Sequence, residues 1–299
     1  MNLTLGWWRL LMELNQNHED LIIWKLNQLE IFSYAFDYTK KNKNKIILLV
    51  WLPELYWTKT ERDKLENKLK KTLNDNGSKT NFFGWDFIKE QEWINNWKNF
   101  LDIEIVGEKF LILPCWKSLP YKYKKKVVLR IDPGSAFGTG SHPTTSLCLE
   151  MMEKTLFEEK KILDVGSGTG ILSIAAKKLG AKELYIIDND YLAIKSTREN
   201  LLLNFGALKS FNVYHESIQK IKKEEILKDF DLILCNILAS VIRPLIPLFY
   251  ETLDFHGYLI LSGILSTQKE EIIKLLILHH FKIDNVLSKK DWICIKAFK

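Results

Sequence analysis

The chain has little cysteine and no paired cysteine motif. Its four cysteines, Cys115, Cys148, Cys235 and Cys294, are widely separated along 299 residues and form no CxxC. That spacing excludes zinc ribbons and a disulfide framework, gives no reason to expect a metal site, and fits a reducing cytoplasm. Long apolar runs are missing too. Nothing approaches about 18 consecutive apolar residues, so no membrane span is expected. The apolar N-terminal stretch is interrupted by Arg9 and Glu13, which is the wrong pattern for a secretory signal. The glycine-rich segment at 166–170 is not followed by Lys-Ser or Lys-Thr, so the phosphate loop of ATP and GTP hydrolases is absent.

What remains is an ordinary globular composition, 46% hydrophobic and 27% charged, long enough for two domains. The net charge of +6 comes with lysine clusters at 40–45 and 122–126. Neither belongs to a recognisable RNA module, so both read as solvated loops and direct RNA binding is not expected. Composition shifts near residue 120: nine of ten tryptophans lie before it and ten of fourteen glycines after it. The expected division is an N-terminal domain at 1–105, a linker region at 106–130 and a second domain at 131–299.

In the first domain, residues 8–14, 31–38, 46–52 and 82–88 read as strands and 20–29 as an amphipathic helix. Thr60-Glu61-Arg62-Asp63 resembles a capping box opening a helix with Leu65, Leu69 and Leu73 on one face. The order β-α-β-β-α-β is the ferredoxin-like split motif, an α+β domain. A further helix carrying Trp93 and Trp97 is expected to follow, with both rings in core packing.

The second domain alternates strand and helix, which predicts an α/β fold with a doubly wound, Rossmann-like, mostly parallel sheet. Its most informative stretch is Ile162-Leu163-Asp164-Val165-Gly166-Ser167-Gly168-Thr169-Gly170-Ile171-Leu172. It reads as a buried strand, a glycine turn and a helix, with unpaired amides at the helix start facing a nucleotide-like ligand. The spacing is GxGxG, not the GxGxxG of dinucleotide folds, which counts against a nicotinamide oxidoreductase. Asp164 suits a cationic ligand better than a pyrophosphate. The next strand ends at Asp188, whose carboxylate can accept from ribose hydroxyls. A ribose, a cation and no pyrophosphate together describe S-adenosylmethionine.

Asp231-Leu232-Ile233-Leu234-Cys235-Asn236 reads as another buried strand with Asn236 at its ligand-facing tip. The following Ile237-Leu238 lacks the Pro-Pro-aromatic sequence that stacks on bases, which argues against a nucleobase substrate. Upstream, the segment DPGSAFGTGSHPTT at 132–145 suggests a loop folding over a ligand, with Thr144 or Thr145 capping a helix that starts near Ser146. His142, in a turn before proline, reads as structural.

Taken together, DPGSAFGTGSHPTT at 132–145, LDVGSGTGIL at 163–172, Asp188-Asn189-Asp190, Asn236-Ile237-Leu238 and Leu261-Ser262-Gly263 resemble one family. It is the bacterial methyltransferase of the eleventh large-subunit ribosomal protein. Glu92-Trp93 with Trp97, and Asp291-Trp292, also fit. The resemblance implies a class I methyltransferase domain behind a smaller N-terminal domain that holds the ribosomal protein. It further implies methyl transfer from S-adenosylmethionine to lysine ε-amines and the N-terminal α-amine, with Thr145, Gly166, Asp188 and Asn236 contacting the cofactor. No catalytic side chain carries over. Tyr191, where the family has proline, and Cys235, where it has a small residue, depart from the pattern.

Overall fold

A computed structural model describes residues 6–29, 31, 33–37, 45–77, 83–89, 102–132, 142–155, 157–223 and 228–299. The chain divides into two units, residues 1–101 and 102–299.

The first unit runs β1 (Gly6–Asn15), α1 (Glu19–Gln28), β2 (Tyr34–Asp37), β3 (Lys45–Pro53), α2 (Lys59–Asp75) and β4 (Phe83–Lys89). Its four strands form a sheet in the order β2-β3-β1-β4, with every neighbouring pair antiparallel. Period-two alternation selects the inner face: Leu10, Met12 and Leu14 of β1 and Ile46, Leu48, Val50 and Leu52 of β3 are buried. Ile22 and Leu26 of α1 and Leu65, Leu69 and Leu73 of α2 complete this core. Burying each of these side chains contributes about 1.5–3 kcal/mol. The cap lies two residues earlier than expected. Thr58, not Thr60, is the cap, and its hydroxyl accepts from the Glu61 amide at 3.4 Å. The Ser/Thr-x-x-Glu spacing is satisfied by Thr58 and Glu61, which leaves Thr60 inside the first turn. The helix expected at Trp93 and Trp97 falls outside the described residues.

The second unit opens with β5 (Glu104–Val106), β6 (Phe110–Pro114) and β7 (Val127–Ile131). These form their own sheet, with β5 and β6 antiparallel and β6 and β7 parallel. Residues 106–130 are therefore not a linker. All five residues of β6 are buried, and Val106, Phe110, Ile112 and Leu129 share a core with Leu147 and Ile162. The 122–126 lysine run is confined to the connection between β6 and β7. The Glu153 carboxylate fastens this sheet by accepting from the amides of Glu108, Lys109 and Phe110.

There follow α3 (Pro143–Met152), β8 (Lys161–Val165), α4 (Ile171–Lys178), β9 (Glu183–Asp188), α5 (Tyr191–Phe205), β10 (Phe211–His215) and α6 (Ile218–Lys223). The chain continues through β11 (Phe230–Asn236), α7 (Ala239–Ile242), α8 (Ile246–Thr252), β12 (Leu253–Leu265), α9 (Lys269–Leu278), β13 (Lys282–Lys289) and β14 (Trp292–Phe298). Seven strands pair in the order β10-β9-β8-β11-β12-β14-β13. Six strands run in the same direction, and β14 runs antiparallel to both β12 and β13. The strand order reverses between β8 and β11, the place where open α/β sheets bind ligands. Among the described residues no helix is long and apolar enough to cross a membrane.

Candidate functional site

The sheet register brings the predicted residues to one edge. Val165 pairs with both Ile187 and Cys235, so Gly166, Asp188 and Asn236 each lie one residue beyond a paired position at the carboxyl ends of β8, β9 and β11. Thr145, in the first turn of α3, joins them: the Asn236 Nδ2 reaches its hydroxyl at 3.4 Å. All four candidate side chains or turns thus meet at the topological switch point.

The glycine turn differs from the expected cradle of free amides. The Gly166 and Ser167 amides donate to the Ile187 carbonyl at 2.9 and 3.3 Å, and the Gly170 amide donates to the Ser167 carbonyl at 2.7 Å. The Gly168 amide donates to Asp188 Oδ2 at 3.0 Å. These donors are used within the fold, so what the turn offers is close approach, not an anion nest. Gly166 has a φ of 75°, and a Cβ there would stand 2.3 Å from Ile237 Cγ2. Only glycine leaves both the left-handed backbone and that space intact.

Asp188 holds the turn with one oxygen and the Asp190 amide, at 3.0 Å, with the other. A carboxylate oxygen has two lone pairs, so each still has one to offer a hydroxyl donor. Asn236 carries a sharper signal: its Oδ1 is buried with no hydrogen-bond partner. A buried orphan acceptor costs about 1–3 kcal/mol and is satisfied when a donor arrives. Acceptors at Asp188 and Asn236 beside a tight turn fit a ligand with ribose hydroxyls and an amine. They suit a pyrophosphate poorly.

Asp164 is fully buried beneath the turn, accepts from the Ser173 hydroxyl, and leaves Oδ1 unpartnered. Burial, opposed by the Ser173 hydroxyl and assisted by the charge of Asp188, lifts its pKa from 3.8 to about 7. The unfolded chain ionises this group near 3.8 and the folded chain only near 7, so its contribution is complete at acid pH and is lost as pH rises toward 7. Asp164→Asn is therefore expected to be more stable than the parent at pH 8. That advantage should shrink toward pH 4 by up to about 1.4 kcal/mol per pH unit. Urea unfolding at both pH values checks this, and a variant less stable at each would contradict it.

Two assignments at α3 change. Neither Thr144 nor Thr145 caps the helix, which begins at Pro143. His142 does so, its Nδ1 accepting from the Thr144 amide at 3.3 Å, while its ring meets Trp292 edge-on at 5.0 Å. Burial, and then the charge of Lys290, lower the His142 pKa and keep the ring neutral for this role. Residues 133–141 of the expected covering loop lie outside the described residues.

Sequence reasoning missed the polar inner face of α5. Thr197 and Asn200 are completely buried there, and the Thr197 hydroxyl donates to the Gly168 carbonyl at 2.9 Å. Polar residues at 197, 200 and 204, where an amphipathic helix keeps aliphatics, were the available signal.

The family profile described as ribosomal protein L11 methyltransferase (PrmA) matches residues 6–299. A ribosomal protein L11 methyltransferase of Prochlorococcus marinus strain MIT 9215 is 52% identical over 293 residues, 98% of this chain and 95% of the relative. Its counterpart from strain MIT 9313 is 35% identical over 289 residues, 97% of this chain and 96% of the relative. The crystal structure of ribosomal protein L11 methylase from Lactobacillus delbrueckii subsp. bulgaricus superposes with a TM-score of 0.60 at 32% identity, covering 66% of this chain and 98% of that one. The α/β fold is that of a class I methyltransferase, and the chain belongs to the ribosomal protein L11 methyltransferase family.

Proposed function

We propose that this chain is a cytoplasmic enzyme that methylates ribosomal protein L11 on lysine ε-amines and on its N-terminal α-amine. The methyl donor is S-adenosylmethionine, which supplies an electrophilic methyl on a cationic sulfonium. The single observation that carries the reading is the orphaned Asn236 Oδ1 at the sheet edge, beside Gly166 and Asp188. Asp188 would accept from the ribose hydroxyls, the Gly166 turn would lie against the nucleoside, and Thr145 would fix the Asn236 amide.

An amine reacts only as the free base. Deprotonating a lysine with an ordinary pKa near 10.4 costs roughly 4.6 kcal/mol at pH 7. A partly dehydrated site lowers that cost by disfavouring the ammonium. Asn236 then acts by orientation: its carbonyl accepts from the amine N–H and turns the nitrogen lone pair toward the reacting carbon. His142 is committed as a helix cap through Nδ1, so no side chain is assigned as general base.

For the first unit we propose a ferredoxin-like α+β domain that recognises the ribosomal protein. The β2-β3-β1-β4 order with two helices supports the fold reading. RNA is disfavoured as substrate, because Ile237 and Leu238 follow Asn236 where a base would need an aromatic partner. Intact-mass spectrometry of L11 incubated with the chain and isotope-labelled S-adenosylmethionine should show successive single-methyl additions, and peptide fragmentation should place them on lysine side chains and on the N-terminal amine. An unmodified L11, or label transferred to ribosomal RNA instead, would refute the proposal.

A further inference from the structure

We infer that Asn200 is a positioning residue for cofactor binding, joining the segment that leads into the 132–145 stretch to the floor of the glycine turn. The inference rests on the reading that the turn at 166–170 carries S-adenosylmethionine. Asn200 Oδ1 accepts from the Asp132 amide at 2.7 Å, while Nδ2 donates to the Asp132 and Thr169 carbonyls, both at 3.0 Å. One carboxamide thus pairs with both backbone groups of Asp132, as a neighbouring strand would, and with a carbonyl inside GSGTG. The side chain has no exposed surface.

One helical turn on, Asn204 repeats half of the pattern. Its Oδ1 accepts from the Arg130 amide at 3.1 Å, and its Nδ2 donates to the Arg130 carbonyl at 2.7 Å. Its remaining bond runs to the Asn200 carbonyl, not to the turn. The two asparagines thus form a short ladder along β7, and only Asn200 also reaches the cofactor turn. Asp132 directly precedes the chain that returns at His142 to start α3 and bring in Thr145. Through Asn200 the two ends of the site share one buried amide with every donor and acceptor used. Losing it removes the Asn200 donor from the Thr169 carbonyl and breaks this side-chain link between the turn and Asp132.

The pair supplies its own control. Asn204→Ala removes a comparable share of the strand contacts without touching the turn, so it registers purely structural loss. Asn200→Asp keeps the acceptor for the Asp132 amide but replaces the donor with a carboxylate oxygen facing two carbonyls. Calorimetric titration with S-adenosylmethionine is the readout, alongside melting of the ligand-free protein. Asn200→Ala and Asn200→Asp should each weaken binding by about tenfold or more. Asn204→Ala should stay within about twofold of the parent even where it lowers the melting temperature equally. Asp188→Ala is measured in parallel. If Asp188→Ala weakens binding and the Asn200 variants do not, the positioning role is wrong and the site stands. If Asp188→Ala also binds normally, the site itself is misplaced. Should Asn200→Ala fail to fold, Asn200→Asp, which is isosteric, carries the test.

Discussion

Asn236→Ala is expected to slow methyl transfer to L11 by about a hundredfold while leaving the melting temperature unchanged or slightly raised. The two halves of this result have one cause. In the fold itself Asn236 contributes little, because its Nδ2 contact with Thr145 is long, at 3.4 Å, and its Oδ1 is buried without a partner. Truncation removes an unsatisfied acceptor along with a weak hydrogen bond, so stability does not suffer. The reaction, in contrast, loses the group proposed to orient the incoming amine. Initial rates with saturating donor, paired with a thermal melt, measure both. A rate within about threefold of the parent would strip Asn236 of its role. A rate loss that merely tracks a falling melting temperature would make it structural.

Gly263→Ala is expected to cost about 5 kcal/mol and leave little folded protein. Gly263 has a φ of 83°, and a Cβ would lie 2.0 Å from the carbonyl oxygen of Ile237 and 2.6 Å from its carbon. The obstacle is backbone, so no rotamer change relieves it. The close approach occurs where β12 shifts register against β14 between Leu261 and Ile264, and it backs the strand tip that presents Asn236. Gly206 gives the comparison: its φ is a similar 73°, but nothing lies within 4 Å of an added Cβ. Gly206→Ala should therefore cost only the left-handed strain, about 1–2 kcal/mol. Urea unfolding of both variants separates strain from collision. Equal losses would mean that Gly263 tolerates a side chain and that the turn behind Asn236 is soft.

How far the sequence revealed this site depended on which interactions have a local signature. The second domain's strands alternate with helices, and GSGTG, Asp188 and Asn236 each end a short apolar run, so their convergence at one sheet edge was legible from pattern alone. The three-stranded sheet at 104–131 was not. Its strands are only three to five residues long and the lysines between them imitate a linker, while their burial depends on contacts with Leu147 and Ile162, distant in sequence. The cap of α3 was misplaced because threonine is the commoner capping residue, whereas here a neutral imidazole held against Trp292 takes the position. The satisfied amides of the glycine turn were hidden as well, since their acceptors include Ile187 and Asp188 on the next strand. Asn200 and Asn204 read as ordinary polar helix residues until β7 is placed beside them.

The most direct test is a crystal structure of the chain with S-adenosylmethionine or its demethylated product. The ribose should lie on the Asp188 carboxylate, the nucleoside against Gly166, and a donor of the ligand or of the substrate amine within hydrogen-bonding distance of Asn236 Oδ1. Density for the ligand elsewhere on the molecule, or at the turn with Asp188 and Asn236 both untouched, would contradict the account.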